Sequence, residues 1–103
     1  MNNINQLLAQ AKKLQDNVAK AQNDIKDREV TGTAGSGAVE VTLVVNGKMK
    51  SIVIDKKIID QDDKEMLEDL IITAFNDAKA KADAIYEEEM KKATGGMHLP
   101  GLF

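Results

Sequence analysis

The chain has 103 residues, of which 30% are charged, and a formal net charge of −3. A chain of this length typically forms one small domain, here residues 1–103. It contains no cysteine, which excludes a disulfide framework, a thiolate metal site and a cysteine nucleophile. No run of about 18 apolar residues and no secretory signal is present, so we expect a cytoplasmic protein without a membrane segment.

The charge is unevenly distributed along the chain. Residues 59–90 carry eleven acidic and three basic side chains, whereas residues 1–28 carry five basic and three acidic. Residues 91–103 carry two basic side chains and no acidic one. The negative total alone argues against nucleic acid as a partner, but basic clusters lie outside the acidic segment.

A long amphipathic helix is predicted over about residues 3–27. Its apolar positions alternate at spacings of three and four residues, which makes a heptad seam: Ile4, Leu7, Ala11, Leu14, Val18, Ala21 and Ile25. Such a seam needs a partner, and a homodimer is the default expectation for so small a chain. Four lysines share one flank, which is either a solvated face or a binding face: Lys12, Lys13, Lys20 and Lys26.

Residues of about 28–55 predict a small three-stranded antiparallel sheet. A short strand over about 28–33 comes first, and a strand with alternating Val39, Val41, Leu43 and Val45 follows. The dipeptide at 46–47, Asn-Gly, predicts a two-residue hairpin turn, and Ile52 and Ile54 continue the apolar face on the third strand.

The segment "TGTAGSGAVEV" (31–41) has three glycines that resemble a phosphate loop. A phosphate loop requires a strand before it, a helix after it and usually a final lysine. Here a helix precedes and a strand follows, without that lysine. We therefore expect Gly32, Gly35 and Gly37 to occupy positions that require a positive φ angle or a sharp turn.

A second long helix is predicted over about residues 62–93. Asp62 and Glu65 have the spacing of a capping box, and Gly95 with Gly96 ends the helix. Its apolar stripe consists of Leu67, Leu70, Ile71, Ala74, Phe75, Ala78, Ala82 and Ile85. The helix is long enough to project past a three-stranded sheet. The apolar tail at 94–103 is either mobile or docked on a partner.

The residues provide no catalytic constellation, metal site or cofactor site. His98 has no acidic residue near it in sequence, and Asp60 with Asp62 lacks the glycine of a calcium loop. Phe75, Tyr86 and Phe103 are the only aromatic residues, too few for a base-stacking surface. We therefore predict that the protein is not an enzyme. A nucleic-acid partner would have to be a duplex contacted through its phosphates.

The chain resembles the YbaB/EbfC family of bacterial nucleoid-associated proteins. The resemblance rests on "VTGTAGSGAVEV" (30–41), "IVID" with the acidic connector after it, "DKEMLEDLIITAFNDA" (63–78) and "GMHLP" near the end. It implies an α+β fold, with an α-β-β-β-α protomer and a tweezer-like homodimer that binds double-stranded DNA with low sequence specificity.

The same resemblance implies that basic side chains on the two long helices contact DNA. The matching positions are Lys12, Lys13 and Lys20 on the first helix and Lys79, Lys81, Lys91 and Lys92 on the last, with Lys26 and Arg28 as weaker candidates. One departure is the acidic run 87–89, where a DNA-binding surface favours neutral or basic residues.

The rival interpretation is a small dimeric scaffold whose tail and heptad seam engage another protein, with incidental DNA binding.

Overall fold

The computed structural model describes residues 2–95 and confirms the α-β-β-β-α order. Three strands form one antiparallel sheet in the order β1-β2-β3. The elements are α1 (Asn2–Ile25), β1 (Glu29–Ala34), β2 (Val39–Val44), β3 (Met49–Ile54), a 3₁₀ turn (Lys56–Ile58) and α2 (Lys64–Ala93). The helix α2 packs across β1 and β2, which places the main core between one helix and two strands.

The central strand β2 supplies the most deeply buried side chains. Val39, Val41 and Leu43 are all 0% exposed and face α2, as the alternating pattern predicted. On α2 they meet Ala74, Ala78 and Ala82, while the larger apolar residues of the helix are only partly buried. Small alanine side chains at the contact allow the helix to lie very close to the sheet.

Gly32 permits this close approach, and its predicted role was wrong. It lies within β1, and a Cβ atom there would be 2.2 Å from both the Ala74 carbonyl oxygen and the Ala78 amide nitrogen. Gly35 and Gly37 do have positive φ angles, 62° and 90°, in the turn that joins β1 to β2. The first glycine therefore serves helix–sheet packing, and the other two serve the turn.

The hairpin between β2 and β3 differs from the predicted two-residue turn. The Val44 amide donates to the Lys48 carbonyl at 2.9 Å, so three residues form the loop, and Gly47 has a φ of 99°. A three-residue loop that ends in a left-handed residue is another common hairpin connection. The pairing also shifts register between Thr42 and Leu43.

The third strand has little cover from its own chain. Ile52 pairs with Val41 and Met49 pairs with Leu43, so each lies on the same face of the sheet as its partner. Yet Ile52 is 40% exposed and Met49 is 42% exposed, whereas both partners are 0% exposed. The predicted apolar face does continue onto β3, but α2 does not extend over it.

The start of α2 is one residue later than the predicted capping box requires. Asp63, not Asp62, is the N-cap, and its side chain accepts a hydrogen bond from the Met66 amide at 3.3 Å. The Asp62 amide instead donates to the Asp60 side chain at 2.9 Å in the preceding turn. At the other end Gly95 has a φ of 65°, which suits a helix terminus.

The second half of α1 packs antiparallel against the last turns of α2. Val18 and Ile25 form a second buried cluster with Met90 and Val45, and the Gln22 side chain donates to the Tyr86 hydroxyl at 2.9 Å. The first half of α1 has no such cover, so the described chain is elongated, measuring 73 × 20 × 17 Å. The second half of the predicted apolar seam therefore packs against α2.

We expect Gly32→Ala to lower the free energy of unfolding by about 3 kcal/mol or more, because the new methyl group would push backbone atoms of α2 away from the sheet. Denaturant unfolding followed by circular dichroism would measure this loss. The neighbouring change Thr33→Ala, at an exposed side chain, should cost less than about 1 kcal/mol. Equal losses for the two variants would contradict the packing role of Gly32.

Candidate nucleic-acid interface

The lysines of α1 are exposed and unpaired. Lys12, Lys13 and Lys20 all project from the helix into solvent. Within residues 2–95, no carboxylate lies within 4.0 Å of their ammonium groups. Lys13 and Lys20 are seven residues apart, so they share a face and lie roughly 10 Å apart along the helix axis. Three unneutralised cations are therefore available on one helix.

Most of the predicted lysines of α2 are neutralised by acids of the same helix. Lys79 forms an ion pair with Asp83 one turn further along. Lys92 lies 3.7 Å from a Glu88 carboxylate oxygen and 3.5 Å from one of Glu89. Exposed pairs of this kind contribute little stability, but they cancel charge at the surface.

Lys81 is held by β1. Its ammonium group donates to the Thr31 carbonyl oxygen at 2.8 Å and lies 3.4 Å from a carboxylate oxygen of Asp77. Asp77 in turn accepts a hydrogen bond from the Thr33 amide at 3.0 Å. The Thr33 amide, followed by Lys81, lowers the pKa of Asp77 below its ordinary value of 3.8. These two side chains thus each bind one backbone group on the outer edge of β1.

Of the remaining predicted cations, two have no ion-pair partner in the part of the chain that the structure describes and one lies near a carboxylate. Lys91 and Lys26 are exposed, and neither has an ion-pair partner among the described residues. The Arg28 guanidinium lies 4.0 Å from the Glu89 carboxylate, where α1 and α2 meet. Sequence reasoning omitted four further cations that are also unpaired within 2–95: Lys48, Lys56, Lys57 and Lys64. The adjacent pair at 56–57 was visible in the sequence.

The two long helices differ in surface charge because, within the described chain, most lysines of α2 are in ion pairs and those of α1 are not. Near its C-terminal end α2 carries Glu87, Glu88 and Glu89, which compensate Lys92 but leave Lys91 without an ion-pair partner in the described chain. On α1, Asp16 lies three or four residues from Lys12, Lys13 and Lys20, and Asp24 lies four residues from Lys20. Neither acid is within ion-pair distance of these lysines. The face of α1 is the better polyanion surface of the two.

Two other kinds of feature are absent from the described range. No helix within residues 2–95 is both long and apolar enough to span a membrane. No three side chains of His, Cys, Asp or Glu in that range are grouped so that they could hold a metal ion. His98 lies outside the described residues, as does the rest of the tail from 96 to 103.

The fold and the cationic helix define a small α+β protein with a surface suited to polyanions. The family model of the YbaB/EbfC DNA-binding family matches residues 1–97. The chain therefore belongs to the YbaB/EbfC DNA-binding family, which confirms the resemblance found in its sequence.

Several named relatives match the sequence of this chain along nearly its whole length. A nucleoid-associated protein of Rhodospirillum rubrum is 45% identical over 100 residues, which covers 97% of this chain and 94% of the relative. One from Clostridium novyi is 46% identical, covering 98% and 89%. One from Xanthomonas oryzae is 49% identical, covering 95% and 91%. The shared length includes both helices and the sheet.

A solved structure has the same fold. The crystal structure of an uncharacterized protein from Helicobacter pylori superposes with a TM-score of 0.68 and covers 88% of this chain and 92% of its own. The two sequences are 23% identical, so this likeness concerns the fold alone.

We expect Asp77→Asn to lower the thermal unfolding midpoint at neutral pH, because a neutral amide pairs less well with Thr33 and Lys81. The folded-state pKa of Asp77 is lowered, so the carboxylate stabilises the fold fully above its ordinary pKa of 3.8. That contribution is lost as the pH falls through the lowered pKa. The difference between wild type and variant should therefore shrink below about pH 4.

Thermal melts of both proteins from about pH 7 down to pH 2 would show this change. Glu87→Gln is the control, since Glu87 makes no ion pair within residues 2–95 and its loss should leave the midpoint nearly unchanged. A difference between wild type and Asp77→Asn that stays constant over the whole pH range would contradict the role of the Asp77 charge.

Proposed function

We propose that this protein is a nucleoid-associated protein that binds duplex DNA as a homodimer, chiefly through phosphate contacts and with low sequence specificity. The observation that carries the proposal is the unpaired lysine face of α1, formed by Lys12, Lys13 and Lys20. Membership of a DNA-binding family supports it. Relatives that are named nucleoid-associated proteins support a cytoplasmic location at the nucleoid.

The side chains on this face favour phosphate contacts over base recognition. Lysine ammonium groups act as point charges, whereas bases are commonly read by bidentate groups such as the arginine guanidinium. Arg28 is the only arginine, and it lies beside Glu89. The aromatic side chains of the described range, Phe75 and Tyr86, are partly buried and offer no stacking platform for a single strand.

Among the other predicted cations, Lys91 is the best placed to contribute. It is exposed and has no carboxylate within ion-pair distance in the described chain. Lys79, Lys81 and Lys92 would first have to leave the partners described above. We therefore assign the main contacts to α1 and secondary contacts to α2.

A homodimer is supported by the uncovered apolar surface of β3. Met49 and Ile52 lie on the core face of the sheet, where their cross-strand neighbours are completely buried. On the opposite edge of the sheet, Asp77 and Lys81 bind the Thr33 amide and the Thr31 carbonyl of β1. Within residues 2–95, β3 is the sheet strand that combines an unpaired edge with an exposed apolar face. A second copy that covers β3 would complete the core.

Dimerisation would also strengthen DNA binding. Two copies related by a two-fold axis present two lysine faces, and the second contact then forms at a high effective concentration. This gain requires no sequence recognition. It fits a protein that coats, bends or bridges DNA.

One observation favours a second candidate function, the dimeric scaffold with incidental DNA binding. Ile4, Leu7 and Leu8 near the start of α1 are each more than 60% exposed and could bind another protein. The tail expected to take part lies outside the described residues. A pull-down that depends on Leu99, Leu102 and Phe103 but not on Lys12 and Lys13 would favour the scaffold.

We expect the charge reversal Lys12→Glu/Lys13→Glu to weaken binding to a labelled duplex of about 30 base pairs by at least tenfold, because four phosphate contacts per dimer are replaced by repulsion. Fluorescence anisotropy at fixed salt would measure the change. The matched control Lys79→Glu/Lys92→Glu alters net charge equally at lysines that are already paired, so its effect should be clearly smaller. Equal losses would show that net charge alone matters and would contradict the α1 assignment.

We expect Ile52→Asp to convert the dimer to a monomer without unfolding it, because the side chain is exposed in the protomer and would be buried only against the second copy. Analytical ultracentrifugation would report the mass, and circular dichroism the fold. Ser51→Asp is the matched control on the opposite face of the same strand and should stay dimeric. A variant Ile52→Asp that remains dimeric would rule out this interface.

A further inference from the structure

The first half of α1 carries an apolar stripe that nothing in the described chain covers. Ile4 is 64% exposed, and Leu7 and Leu8 are each 63% exposed. Ile4 and Leu7 lie on the same helix face as the buried Val18 and Ile25, and Leu8 flanks that face, so these values are high for large aliphatic side chains. The heptad seam thus continues past the point where α2 ends.

A cleft joins this stripe to the end of α2. Its volume is ≈ 560 Å³, and it lies between side chains of α1 and the residues at the C-terminal end of α2. Leu7, Ala11 and Leu14 form one side, and Ala93 with Thr94 forms the other. Gln10 and Lys13 also line the cleft. The cleft therefore lies beside the C-terminal end of α2, where Ala93 is the last helical residue and Thr94 the C-cap.

The eight residues that follow have the chemistry and the length to fill this cleft. Segment 96–103 carries no charged side chain and includes Met97, Leu99, Pro100, Leu102 and Phe103. Eight extended residues reach about 26 Å. Along α1 the distance from Leu14 to Ile4 is roughly 15 Å, since ten residues separate them at about 1.5 Å each. The segment can therefore span the whole stripe.

We propose that segment 96–103 docks along α1 of its own chain, in the cleft that runs from Ala93 to Leu7. The attachment at Gly95 gives the segment a high effective concentration at the cleft, which no separate partner shares. Its uncharged side chains can bury the stripe without neutralising Lys13 beside the cleft. Docking extends the buried seam of α1 past the end of α2.

The arrangement goes beyond DNA binding and does not depend on it. Lys12 and Lys20 lie on the far side of α1 from Leu7 and Leu14, since each residue advances about 100° around a helix. The docked segment would leave both lysines exposed. It would also withdraw Leu7 from contact with other proteins.

Disulfide trapping in the full chain tests the proposal directly, because the natural sequence has no cysteine. We expect Leu7→Cys/Leu99→Cys to form an intrachain disulfide roughly tenfold faster than Ala9→Cys/Leu99→Cys, because only the first pair can bring its Cα atoms within about 7 Å. Ala9 is exposed and lies on the opposite face of α1. Equal rates for the two pairs would overturn the proposal.

Mixing ¹⁵N-labelled and unlabelled protein before oxidation identifies which chains are joined. Intrachain disulfides leave two pure masses and support docking within one chain. Hybrid-mass products that dominate for the Leu7→Cys pair would show that a second copy occupies the cleft, which overturns the proposal.

Hydrogen exchange provides a second test that needs no cross-link. In Leu99→Ser/Leu102→Ser/Phe103→Ser, amides of residues 4–11 should exchange several-fold faster than in wild type, whereas those of β2 should be unchanged. Unchanged exchange over residues 4–11 would contradict the proposal. Neither test involves DNA, so failure here is distinguishable from failure of the proposed function.

Discussion

The contact between Gly32 and the backbone of α2 at Ala74 and Ala78 is the constraint on which the rest of the arrangement depends. Because β1 has no side chain at this point, α2 lies directly on β1 and β2 and leaves β3 uncovered. The same placement brings Asp77 and Lys81 to the edge of β1. One close helix–sheet contact thus explains why β1 has partners on α2 at its outer edge whereas β3 is left uncovered within the described chain.

The two long helices also differ in how their charges are compensated. The acidic residues that make the protein negative overall are concentrated on and just before α2, where they pair with lysines such as Lys79 and Lys92. The lysines of α1 are not compensated in this way, because no carboxylate of the described chain lies within ion-pair distance. A net charge of −3 is therefore compatible with a polyanion-binding helix.

Periodicity was sufficient to predict the element order, because apolar spacings of 3.6 and 2 are local properties of the chain. The role of Gly32 could not be predicted, since it depends on a helix more than 40 residues away. The pairs Lys79–Asp83 and Lys92–Glu88 could have been read from their four-residue spacing. The contact between Lys81 and the Thr31 carbonyl could not, because it joins elements distant in sequence.

The most direct test of the central claim, that lysine–phosphate contacts hold the protein on duplex DNA, is the salt dependence of wild-type binding. Each neutralised phosphate contributes about −0.9 to the slope of the logarithm of the binding constant against the logarithm of salt concentration. Three lysines per protomer in a dimer predict a slope of roughly −5. A slope near zero, or no binding even at low salt, would contradict the account.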